Sequence, residues 1–248
     1  MTLPGLVLVH GGAHAGDCWE LTVAELARKA PELPVLAVDL PGRGARPADL
    51  TAMRINDFVA SAVADIEGAG LADVVVVGHS MAGLVVPGIV AKLGATRVRE
   101  MMLLAAFVPP QGLSVVDTLR GPLAPLARSA RRVQRSSIPK ALARYAFCNG
   151  MTREQREFAL SRLCGEAANV IFESVDRSDL PDEVPRMWIM TLRDRALSMR
   201  QQLTAIESLG GVDTMICLDG CHNLMVSDPA GLAGVLIDRC RLHERTGT

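Results

Sequence analysis

The stretch Asp73-Val74-Val75-Val76-Val77-Gly78-His79-Ser80-Met81-Ala82-Gly83 decides how this chain folds. The β-branched run Val74–Val77 carries no polar alternation, which predicts a short strand buried on both faces. Gly78 to Gly83 then turn the chain sharply, and from Leu84 the sequence is helix-like through Val85, Val86, Ile89, Val90 and Leu93. A serine between strand and helix, with a small residue two before (Gly78) and two after (Ala82), has the pattern of a nucleophile elbow. Ala82 stands where glycine is more usual, and Gly83 follows it. The helix after the serine is expected to point its N-terminus at the site, where it favours developing negative charge. Taken alone, the motif also fits an ordinary glycine turn with a surface serine. The flanking chain has to decide.

Upstream, Leu6–Val9 reads as a short apolar strand followed by His10-Gly11-Gly12-Ala13-His14. Glycines directly after a buried strand let backbone N–H groups approach a substrate, as in the second half of an oxyanion hole. Asp17 is expected to cap a helix whose apolar stripe is Trp19, Leu21, Val23, Leu26 and Ala27. Val35–Val38 reads as a second buried strand, ending in the turn-rich Asp39-Leu40-Pro41-Gly42-Arg43-Gly44. A further helix spans about Ile55 to Ile66, with Asp57 in its first turn and Gly68 and Gly70 beyond its end.

Downstream, Pro87 is expected in the second turn of the post-elbow helix, where it would permit a kink. Met101–Ala106 reads as another strand. Strands alternating with helices at this spacing predict an α/β fold with a mostly parallel sheet flanked by helices. From Pro109 to Pro185 the rhythm changes to a helical, basic segment that includes Arg120, Arg128, Arg131, Arg132, Arg135, Lys140 and Arg144, with Thr152 as an N-cap further on. This predicts a core of residues 1–108 and 186–248 with an inserted helical cap over 109–185. The basic residues read as a solvated helix face, with attraction of acidic substrates as the lesser option. Met187–Thr191, a helix over Leu197–Leu209, Val212–Leu218 and a terminal helix from Asp228 or Pro229 complete the pattern.

At 248 residues the chain suits one domain with a substantial core, and its net charge of −1 gives no electrostatic case for nucleic acid or an anionic membrane. One tyrosine and 3% aromatics argue against base-stacking platforms. Cys18, Cys148, Cys164, Cys217, Cys221 and Cys240 form no CxxC pair and no cluster with zinc spacing, so reduced thiols in a cytosolic protein are expected. No basic segment leads into a long apolar stretch, and no apolar run reaches bilayer length. The sequence therefore points to a soluble, cytoplasmic protein whose partner is a small-molecule substrate. A homodimer stays open.

Ser80, Asp194 and His222 each follow a predicted strand, at the sheet edge where open α/β sheets place their sites. Their order in the chain is that of an elbow hydrolase. The chemistry needs all three, because an imidazole must take the serine proton and a carboxylate must hold the imidazole. His10 reads as loop scaffold, His14 as pocket wall or surface, and His243 as part of a frayed tail. His79 is excluded as the base by its own backbone beside Ser80. Asp219 competes for the acid role, but three residues before His222 it belongs to the turn, whereas Asp194 arrives from a neighbouring strand end. Asp39 and Asp73 read as capping or strand-end residues. The oxyanion hole would use the backbone N–H groups of Gly12 and Met81, and Gly11, Ala13 and His14 would line the substrate pocket.

With these residues in place, the chain resembles the α/β-hydrolase superfamily. His10-Gly11-Gly12-Ala13-His14, Gly78-His79-Ser80-Met81-Ala82-Gly83, Arg193-Asp194-Arg195-Ala196 and Gly220-Cys221-His222 resemble its compact branch of methylesterases, hydroxynitrile lyases and bacterial relatives. Hydroxynitrile lyases have a threonine after the first loop histidine and a lysine after the catalytic histidine, where this chain has Gly11 and Asn223. The lysine's charge assists cyanide departure, so its absence favours ester hydrolysis. The resemblance implies no metal and no organic cofactor. The expected activity is serine hydrolysis of a small, mainly apolar ester or thioester, and the alternative is a lyase or cofactor-free carbon–carbon bond-cleaving enzyme using the same three residues as a base. A binding protein on a hydrolase scaffold is the third class.

Overall fold

A computed structural model describes residues 2–118, 135–136 and 138–245. The strands in chain order are β1 (Gly5–Val9), β2 (Val35–Val38), β3 (Val74–His79), β4 (Val98–Leu104), β5 (Arg135–Ser136), β6 (Glu166–Ala167), β7 (Arg186–Thr191) and β8 (Thr214–Leu218). Six of them form one sheet in the order β2-β1-β3-β4-β7-β8, every pair parallel. β3 lies inside the sheet, and its six residues are all buried. Successive side chains of a strand point to opposite faces. Val74 and Val76 accordingly join Phe58, Val59, Val86 and Ile89 in one core layer, while Val75 and Val77 join Trp19, Leu26, Leu232 and Leu236 in the other. Helices covering both faces explain why the valine run has no polar alternation. β2 is an edge strand, so three of its four residues are only half-buried rather than buried as the sequence suggested.

Helices α1 (Glu20–Lys29), α2 (Ile55–Gly68) and α3 (Val86–Leu93) connect the first four strands. Three local readings need correction. Asp17 does not cap α1; it lies inside a 3-10 turn, Gly16–Trp19, and faces Arg162 at 3.3 Å. The carboxylate at that turn's start is Asp39, whose Oδ1 accepts the Gly16 N–H at 2.8 Å. A 3-10 turn, Ser80–Leu84, separates the elbow from α3, and Pro87 falls in the first turn of α3. There its missing N–H costs no helical bond, so it starts the helix instead of kinking it. His243 is not frayed: its Nε2 lies 3.2 Å from Glu100 Oε2, and Arg239 holds the same buried carboxylate through two bonds at 3.0 and 2.5 Å. Thr152 caps its helix through the Gln155 N–H, and the terminal helix starts at Pro229 with Asp228 accepting the Gly231 N–H.

Between β4 and β7 the described residues form helices Val115–Thr118, Lys140–Phe147 and Arg153–Ser161, a 3-10 turn Ala168–Phe172, and the two-residue antiparallel ladder of β5 with β6. Lys140 and Arg144 are exposed on their helix. Arg120, Arg128, Arg131 and Arg132 and the side chain of Arg135 lie outside the described residues. Among the described residues no helix is long and apolar enough to cross a membrane.

Candidate active site

β3 delivers Ser80 in a conformation that side chains rarely adopt, φ +54°. Left-handed backbone at a non-glycine residue costs energy and persists only where neighbours enforce it. The enforcement is visible on both sides. The Ser80 carbonyl accepts the Phe107 N–H at 2.8 Å. A Cβ on Gly78 would stand 2.6 Å from Val86 Cγ2, and one on Gly83 would stand 2.3 Å from the Phe107 carbonyl oxygen. Gly83, one place later than the usual glycine, therefore carries the close approach to the Phe107 carbonyl and the Ala106 Cβ, and Ala82 is tolerated.

The three side chains singled out by chain order come together. The Ser80 hydroxyl lies 2.9 Å from His222 Nε2, and His222 Nδ1 lies 2.7 Å from Asp194 Oδ2. Asp194 Oδ2 also accepts from Thr191 Oγ1 at 2.9 Å, and Oδ1 accepts the Ala196 and Leu197 N–H groups, both at 2.7 Å. A carboxylate holding four donors, with its side chain fully buried, is fixed as an acceptor. Nδ1 of His222 must then be the donor, which leaves Nε2 free to accept from Ser80. Asp219 is elsewhere: its Oδ1 pairs with Arg193 Nε at 2.7 Å, and its side chain is 71% exposed.

Two rings fix the imidazole. Phe147 stacks on it at 5.2 Å between centroids, and His79 lies tilted at 4.8 Å on another side. The His79 Nε2–H donates to the His222 carbonyl at 3.0 Å, and burial pushes the His79 pKa well below its usual value. His79 is thus a neutral support. Neither Phe147 nor Thr191 carried a sequence signal.

His10 accepts the Leu40 N–H at Nε2 (3.2 Å) and meets the Gly11 carbonyl at Nδ1 (2.9 Å); burial lowers its pKa to about 3. His14 is buried, its Nδ1 donating to the Gly12 carbonyl at 2.8 Å and its Nε2 accepting from Asn223 Nδ2 at 3.2 Å. Burial lowers its pKa to about 4. A cavity beside the elbow is lined by Gly11, Gly12, Arg43, Phe58, Met81 and Glu166 among others, but not by Ala13 or His14. A larger hollow of about 330 Å³ opens between Thr51–Arg54 and Asn169–Glu173, and none of Ser80, Asp194 and His222 lines it. Among the described residues no group of three or more His, Cys, Asp or Glu is placed to hold a metal ion.

A family model described as alpha/beta hydrolase family matches residues 6–235. The chain belongs to that family. Among curated proteins, the carbendazim hydrolyzing esterase of Nocardioides sp. (strain SG-4G) is 36% identical over 125 residues, half of this chain and half of that protein. Among solved structures, an extracellular alpha/beta-hydrolase from a Paenibacillus species superposes with a TM-score of 0.83 at 22% identity, covering 95% of this chain and 98% of that one. The methylesterase MES16 from Arabidopsis superposes with a TM-score of 0.77 at 19% identity, covering 97% and 100%. At these identities the structural likeness speaks for the α/β-hydrolase fold.

Proposed function

We propose that this α/β-hydrolase is a serine esterase that cleaves a small, mainly apolar carboxylic ester or thioester through an acyl-enzyme. One observation carries the reading: the unbroken hydrogen-bonded chain Ser80–His222–Asp194, with Ser80 held at positive φ at the elbow. His222 Nε2 takes the Ser80 proton as Oγ attacks the carbonyl carbon, and Asp194 stabilises the imidazolium. The N–H groups of Met81 and Gly12 receive the carbonyl oxygen as it becomes an oxyanion. His222 then gives its proton to the leaving alkoxide or thiolate, and water repeats the sequence to free the acid.

Leu40, Phe58, Leu84, Val85 and Val170 form an apolar wall beside Met81 and Ala82. Residues 109–185 serve as a cap that sets substrate choice. The similarity to a carbendazim hydrolyzing esterase fits an ester substrate. Asn223, at the position where a lyase would carry a cation, is neutral and spent on His14. The unpaired cysteines suit a reducing, cytoplasmic setting.

The test is a fluorophosphonate probe and a panel of p-nitrophenyl and methyl esters of graded acyl length, on wild type and Ser80→Ala. Labelling and turnover that vanish in Ser80→Ala are expected, with an acyl-enzyme trappable by hydroxylamine. Folded wild type that takes no label and turns over no ester refutes the reading. Turnover without a trappable acyl-enzyme points to the lyase instead.

A further inference from the structure

The turn that presents Gly12 is held from outside itself. Ala13 has φ +57°, the left-handed region that an alanine occupies only under constraint. The Gly12 carbonyl accepts from His14 Nδ1, and the Ala13 N–H donates to Glu166 Oε2 at 2.8 Å. The Ala13 carbonyl accepts the Cys164 N–H at 2.9 Å. The peptide joining Gly12 to Ala13 is therefore fixed at both its C=O and its N–H. Because that unit is planar, pinning both groups removes rotation on the C-terminal side of Gly12, and the His10 Nδ1 contact on the Gly11 carbonyl at 2.9 Å holds the neighbouring peptide that carries the Gly12 N–H.

Glu166 comes from β6, far from the sheet in sequence, and is only 7% exposed. Its other oxygen, Oε1, accepts from Arg43 and from the Ala167 N–H. Arg43 is itself buried, with its guanidinium over the Phe58 ring at 5.2 Å. A Cβ on Gly12 would lie 2.9 Å from Glu166 Oε2 and 2.6 Å from Met81 Sδ, so the carboxylate stands against the turn. A bare carboxylate there would oppose a developing oxyanion in a dry, low-dielectric site. Arg43 supplies the counter-charge that makes the position usable.

We infer that Glu166, neutralised by Arg43, is a positioning residue that locks the Gly12–Ala13 peptide and ties residues 109–185 to the catalytic step. The inference rests on the serine-esterase reading, with the Gly12 N–H as an oxyanion donor. Losing one such donor costs on the order of 100-fold in rate, and loosening it costs part of that.

The experiment measures kcat and KM for p-nitrophenyl acetate, per active site titrated with fluorophosphonate, and hydrogen exchange at the Ala13 amide. Glu166→Ala is expected to lower kcat by about 10–100-fold, leave KM within about threefold, and speed Ala13 exchange. With Arg43 in place, Arg43 and the Ala167 N–H claim the Gln oxygen and turn its NH2 on the Ala13 N–H, so Glu166→Gln is made in the Arg43→Met background, where its carbonyl can serve Ala13 and should recover most of the loss. Arg43→Met, which bares the carboxylate, should lose more kcat than the Arg43→Met, Glu166→Gln double variant. If the stranded Arg43 charge keeps Glu166→Ala from folding, Glu166→Met and Glu166→Gln are compared in the Arg43→Met background. Wild-type kcat in folded Glu166→Ala, equal losses when Glu166→Ala and Glu166→Gln are compared in the Arg43→Met background, or unchanged Ala13 exchange would each overturn the inference. A wild type inactive on every ester sinks the esterase reading, and the exchange measurement still reports whether Glu166 pins the turn.

Discussion

Asp194→Asn replaces one oxygen by an amide nitrogen and should stop the reaction almost without disturbing the fold. In the wild type, Oδ1 receives the Ala196 and Leu197 N–H groups, and Oδ2 faces His222 Nδ1 and Thr191 Oγ1. Two backbone donors oblige the asparagine oxygen to take the Oδ1 place, which puts its NH2 opposite His222 Nδ1. A donor cannot face a donor, so the imidazole proton moves to Nε2, the atom 2.9 Å from Ser80 Oγ. The base is then protonated where it should accept. Inverting a tautomer this way costs about 10⁴-fold in kcat, roughly 5.5 kcal/mol of barrier. Stability should fall by no more than about 2 kcal/mol, the scale of one charged hydrogen bond. The assay is kcat on p-nitrophenyl acetate with the fluorophosphonate labelling rate, alongside urea unfolding. Asp219→Asn is the control; its surface pair with Arg193 is worth under about 1 kcal/mol, and turnover should hardly change. A folded Asp194→Asn that loses less than about tenfold refutes the reasoning, as does an Asp219→Asn that loses as much.

Gly83→Ala drives a Cβ to 2.3 Å from the Phe107 carbonyl oxygen, so backbone must move, at a cost of about 1–3 kcal/mol by urea unfolding. Gly68→Ala, at the exposed end of α2 with open space around it, should instead stabilise by about 0.5 kcal/mol. His14, neutral in the fold with a pKa near 4, takes up a proton on unfolding below its free value of 6.5. Its share of stability is full above pH 6.5 and is lost as the pH falls toward 4, by about 3 kcal/mol in all. Unfolding of His14→Gln should accordingly lose about 1.4 kcal/mol per pH unit of acid sensitivity across that window. Glu100→Ala strands Arg239 and should cost about 3 kcal/mol without altering kcat per active site.

What the sequence made legible is what the sheet itself carries. A valine run with no polar alternation can only be a strand covered on both faces, and a serine, an aspartate and a histidine directly after such strands must meet at one edge. Local reasoning failed where the partner came from elsewhere in the chain. The carboxylate at the start of the turn that leads into α1 is Asp39 and not Asp17, the expected cap of the helix, because it arrives from the end of β2. His243 is held by Glu100 from β4, which no feature of the tail reveals. Arg43 and Glu166 look in sequence like solvated residues, since charged side chains are rarely buried unless paired, and their pairing spans 123 positions.

Three of the supports that escaped sequence reading come from one stretch, and that has a functional consequence. Phe147 stacks on the His222 imidazole, Cys164 holds the Ala13 carbonyl, and Glu166 holds the Ala13 N–H. All three come from the stretch between β4 and β7 and not from the sheet that delivers Ser80, Asp194 and His222. A segment that only screened substrates would change KM and selectivity when altered and leave kcat per site alone. A segment that clamps both the proposed base and the proposed oxyanion turn must change kcat as well, because small displacements of reacting groups are expensive. Phe147→Ala separates the two: it widens the space over His222, yet it should lower kcat on the smallest acetate ester, where no substrate group needs that space.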